Sequence, residues 1–87
     1  MSSIRDLKKM INYELSGVIE ECYLWQLTNE QDSDKAETII DAAIDKFDAL
    51  ISLINDKSVS NRKAHLQSVT KDLHESSAKF MKDIAAL

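Results

Sequence analysis

The chain has 87 residues, 44% of them hydrophobic and 30% charged, with no proline, a single glycine and a net charge of -4. That length holds one domain, residues 1–87, with a core that is modest unless well packed or shared with a partner. The shortage of turn residues argues against a hairpin-rich all-β fold, and 15 acidic against 11 basic side chains argue against nucleic acid as the main partner.

The first element is a helix over about residues 3–27. Ser3 followed by Asp6 is the Ser-x-x-acid arrangement that satisfies early orphan amides. At 100° per position, Ile4, Leu7, Ile11, Leu15, Val18, Cys22 and Trp25 share one face. A second apolar row, Met10, Tyr13, Gly17, Leu24 and Leu27, runs on the opposite side and is interrupted by Glu20. A bundle helix needs one broad apolar face, so this second row is expected to be an interface with a partner or a second copy. Gly17 sits mid-helix, where glycine costs about 1 kcal/mol relative to alanine. A close approach by another backbone would account for it. Tyr23 and Leu24 point away from the core row, either beneath the following loop or into solvent.

The second helix is expected over residues 34–55, starting near Ser33 or Asp34, where Asp34–Glu37 forms a capping box. Its core row is Ala36, Ile40, Ala43, Phe47, Leu50 and Ile54, flanked by Ile39, Ile44 and Ile51. Glu37, Asp41, Asp45 and Asp48 form an acidic ridge on the polar side, read as a solvated face or as a strip for a basic partner.

The third helix, residues 60–87, is expected to start near Ser58 or Ser60 and to bury Leu66, Val69, Leu73, Ser77, Phe80, Ile84 and Leu87. Continuing the second row would place Lys57, Asn61, Ala64, Ser68 and Lys71 on the core face, so the phase jumps and a turn is required between them. Short links then force antiparallel neighbours. The expected fold is all-α: an up-down-up antiparallel three-helix bundle, open to completion by dimerisation. Ser76 and Ser77 stand where leucine is expected, which leaves room for close packing or a small pocket.

Chemistry-bearing patterns are scarce. Cys22 has no second cysteine for a disulfide or a cysteine zinc site. His65 and His74 are nine residues apart, on opposite sides of a helix, and cannot share a metal. Neither is followed by the Lys and Gly of helical phosphotransfer domains. No Glu-x-x-His pair, nucleophile motif or glycine-rich phosphate loop occurs. No cofactor, metal, small-molecule substrate or enzymatic activity is therefore expected. The opening residues lack a signal peptide's apolar run, and no stretch is apolar enough to span a membrane, so a cytoplasmic protein is expected.

The function these features favour is a small non-catalytic protein-interaction or regulatory module. A structural homo-oligomer subunit is the nearest alternative. A weak nucleic-acid or anionic-surface binder would use Arg62, Lys63, Lys71, Lys79 and Lys82 on the third helix.

Overall fold

A computed structural model describes residues 4–87. Three α-helices account for most of them: α1, Ile4–Thr28; α2, Ser33–Ile54; and α3, Arg62–Ala85. A single 3-10 turn, Glu30–Asp32, joins the first two. At about 1.5 Å per residue the helices are roughly 33–38 Å long, close enough in length to lie side by side in a body of 48 × 21 × 18 Å.

The core reports the topology. One cluster joins Leu7, Ile11 and Leu15 of α1 to Leu50 and Ile54 at the end of α2 and to Val69 and Leu73 near the start of α3. The other joins Val18 and Cys22 of α1 to Ala36, Ile39, Ile40 and Ala43 at the start of α2 and to Ile84 near the end of α3. Phe80 packs against both clusters. Helix α2 is thus antiparallel to its two neighbours, which run parallel to each other. The expected up-down-up bundle is the fold observed.

Burial follows the expected phases closely. Leu7, Ile11, Leu15, Val18 and Cys22 are the buried residues of α1, and all five lie on its expected core row. In α2 the buried set is Ala36, Ile39, Ile40, Ala43, Leu50 and Ile54. Phe47 and Ile51 are half-buried, whereas Ile44, expected to flank the core, is exposed. In α3, Val69, Leu73 and Ile84 are buried; Leu87, expected on the core row, lies past the helix end and is exposed.

Helix ends differ from the expected ones for identifiable reasons. Ser3, the expected cap of α1, lies outside the described residues. Without glycine or proline, α1 ends through side chains: Asn29 Nδ2 (2.9 Å) and Thr28 Oγ1 (3.2 Å) both donate to the Trp25 carbonyl. Asp32 N–H then bonds the Asn29 carbonyl at 3.0 Å, making the 3-10 turn. That turn delivers the chain to α2 at Ser33, one of the two expected starts, and the Asp34–Glu37 capping box is not used. Glu37 instead accepts from Gln26 Nε2 at 3.2 Å, and the same amide donates to the Ser33 carbonyl at 2.9 Å, tying α1 to the beginning of α2.

The break expected between Asn55 and Asn61 is present, but Asn61 is the cap of α3, not Ser58 or Ser60. Its side-chain oxygen accepts from Ala64 N at 3.1 Å, the bond an N-cap makes to the third helical amide. Ser58 is already engaged. Its backbone N–H (2.9 Å) and hydroxyl (2.6 Å) both donate to Asp56 Oδ1, closing a local turn and holding the Asp56 carboxyl below its usual range. Helix α3 therefore starts two residues later than expected.

Candidate interaction surface

Side chains on the outer side of α1 are where the molecule leaves most apolar surface uncovered. Tyr13 is 80% exposed, Leu27 73%, Leu24 57% and Tyr23 54%, the four highest values among its exposed large hydrophobic residues. Ile44, Leu53, Met81 and Leu87 are exposed as well, but they are dispersed over α2, α3 and the chain end. Single exposed apolar residues are normal; a row of them along one helix is not.

The five expected interface residues separate into two groups. Tyr13, Gly17, Leu24 and Leu27 lie on the outer side. Met10 does not join them cleanly, because it is half-buried and packs against the first core cluster. A methionine at the edge of a core row can fold its long side chain inward. Tyr23 and Leu24 are exposed, so the loop after α1 does not cover them.

Gly17 has no role in the fold of the single chain. Its φ is negative, and a Cβ built on it meets nothing within 4 Å. Replacing Gly17 with alanine is therefore expected to stabilise the isolated chain by about 0.5–1 kcal/mol, through lower unfolded-state entropy and higher helix propensity. Thermal unfolding at low protein concentration checks this; a lowered midpoint would mean a hidden close contact. An open hollow of about 620 Å³ beside it is lined by Lys9, Asn12, Tyr13, Glu14, Ser16, Gly17 and Glu20.

The remaining candidate groups are absorbed into the fold. Cys22 is fully buried; desolvation pushes its thiol pKa up, with the Glu21 and Glu37 carboxylates adding to the effect, so it is a packing residue and a poor nucleophile. His65 Nε2 lies 2.6 Å from the Leu53 carbonyl oxygen. A carbonyl only accepts, so this nitrogen carries the proton and closes the α2 C-terminus. His74 Nδ1 pairs with Glu14 Oε1 at 3.0 Å across the α1–α3 seam. Each histidine of α3 thus makes one polar contact with a neighbouring helix. Among the described residues no group of three or more His, Cys, Asp or Glu could hold a metal ion.

Ser76 donates to Asp72 Oδ1 at 3.1 Å. The Ser77 hydroxyl and Glu14 Oε2 are buried without a hydrogen-bond partner. Neither serine lines the hollow beside Gly17 or the one at Leu27–Asp32. The acidic ridge is exposed along its length; Glu37 is held by Gln26, while Asp41, Asp45 and Asp48 form no ion pair among the described residues. On α3, Lys71 faces Glu75 at 3.9 Å and Lys79 faces Asp83 at 3.0 Å, which neutralises two of its five cations locally.

A second ion pair between helices, like that of His74 with Glu14, was not legible in the sequence. Lys46 of α2 bridges to Asp72 of α3 at 2.8 Å from Oδ1 and 2.9 Å from Oδ2. The Lys46 ammonium, helped by Ser76, holds the Asp72 carboxyl below its usual range. A lowered folded-state pKa stabilises above the unfolded value of about 3.9 and loses that contribution as pH falls through the folded pKa. Asp72→Asn is therefore expected to be less stable than the parent chain at neutral pH, and the gap should close in acid. The pair is partly solvated, so the effect is expected below about 1 kcal/mol. Thermal midpoints at neutral and strongly acidic pH check it; a gap that persists in acid would contradict the assignment.

No helix among the described residues is long and apolar enough to cross a membrane. In comparisons with known families, curated proteins and solved structures, the chain matches none of them.

Proposed function

We propose that this protein is a non-catalytic helical interaction module whose contact surface is the outer side of α1. The observation that carries the reading is the exposed row of Tyr13, Leu24 and Leu27, on the side of α1 opposite the one buried in the bundle. Aromatic and large aliphatic side chains grouped in this way are the composition of association surfaces. The reading also explains a mid-helix glycine that the single chain does not need. A structural subunit that binds only itself would use the same residues.

A triple variant, Tyr13→Ser, Leu24→Ser and Leu27→Ser, tests the assignment. These side chains leave the core intact, so helicity and thermal unfolding should remain close to those of the parent. Self-association by sedimentation equilibrium, and the set of proteins retained on the immobilised chain, should both be reduced. Equal mass and equal retention for parent and variant would remove α1 as the contact surface.

A further inference from the structure

We infer that the occupant of the outer side of α1 is a second copy of this chain, packed with its α1 antiparallel to the first. The inference rests on the interaction reading above and adds partner, direction and register to it. Three observations on α1 carry it.

The first is spacing. Positions 10, 13, 17, 20, 24 and 27 alternate steps of three and four, the heptad pattern that keeps one seam of a helix facing another. The pattern is symmetric about the midpoint between Val18 and Ile19. With a two-fold axis there, Tyr13 of one copy faces Leu24 of the other, and Gly17 faces Glu20. Glu20 of one copy thus stands over the hollow at Gly17 of the other, whose lining includes Tyr13 and Glu20.

The second is charge. Arg5, Lys8 and Lys9 occupy the start of α1, and neither Lys nor Arg occurs again before Lys35. Glu14, Glu20 and Glu21 of α1, and Glu30, Asp32 and Asp34 just beyond its end, fill the interval. Arg5 and Lys9 are exposed and form no ion pair among the described residues. A parallel pair would set like ends together. The antiparallel pair sets the basic start of each helix beside the acidic segment that follows the other, which favours that direction.

The third is area. Tyr13, Leu24 and Leu27, at their observed exposures, leave roughly 400 Å² of side chain for each copy to cover, taking about 200 Å² for a large side chain. The total of about 800 Å² lies below the standard size of a stable association, so a weak, micromolar dimer is expected. The Glu20 side chains approach each other near the axis and hold the affinity down. Glu20→Gln should tighten the dimer several-fold.

Cross-linking with a short bis-maleimide tests direction and register. Variants Tyr13→Cys and Leu24→Cys are prepared separately and then mixed; the parent chain, whose Cys22 is fully buried, is the control. In the antiparallel pair, copies of the same position are about 16 Å apart along the helix axis, whereas 13 and 24 are level. The mixture is expected to cross-link and each variant alone to do so poorly. Equal cross-linking of each variant with itself would overturn the antiparallel register. No cross-linking in any sample, at concentrations where the parent sediments as a dimer, would place the contact elsewhere; a parent that stays monomeric would remove the second copy as occupant. The triple serine variant answers separately whether the outer side of α1 is a contact surface at all.

Discussion

Leu50→Ala is expected to lower the unfolding free energy by about 3–4 kcal/mol. Leu50 has no exposed surface and lies in the cluster that joins all three helices. Truncation removes buried methyl groups and leaves a cavity that the packed helices close only in part. A domain of this size has a stability of about 5–15 kcal/mol at most, so the loss is a large fraction of the total. Urea unfolding followed by circular dichroism measures it directly. Leu27→Ala is the matched control: the same chemical change at an exposed position should stay within about 0.5 kcal/mol in the monomer. Equal losses at the two positions would mean that the burial pattern is wrong.

Ala43→Leu is expected to destabilise by about 1–3 kcal/mol, through overpacking and not through a cavity. Ala43 is completely buried in the second cluster, where Ala36, Val18 and Cys22 are its small neighbours. The larger side chain can enter only if α1 and α2 move apart or adopt strained rotamers. Ala42, one position earlier, is exposed. Ala42→Leu should therefore leave the thermal midpoint nearly unchanged. A neutral or stabilising Ala43→Leu would indicate a void between α1 and α2 that the described packing does not contain.

The bundle was legible because burial acts on whole helix faces, and a face recurs every three or four residues. The phase jump between Ile54 and Val69 located the turn before α3, although no glycine or proline marks it. Caps were harder to read, since several polar residues compete for one role. Ser58 and Asn61 are equally plausible from composition, and the Asp56–Ser58 turn decides between them. Met10 was misplaced for a different reason. Its angular position belongs to the outer row, but its side chain is long enough to reach the core.

Contacts between helices were not legible at all. His74 meets Glu14 across 60 positions and Lys46 meets Asp72 across 26. No local spacing encodes such pairs; they depend on how the rows are rotated once packed. The exposed row on α1 was visible because it is itself a periodic feature of one helix.

A dilution series followed by backbone amide NMR tests most directly whether that row is where two molecules meet. Between high and low micromolar concentration, the account predicts shifts confined to the outer side of α1, at Asn12, Tyr13, Ser16, Gly17, Glu20, Leu24 and Leu27. Asp41, Asp45 and Asp48 on α2 should stay fixed. Spectra that do not change with concentration, or changes centred on α2 or α3, would contradict it.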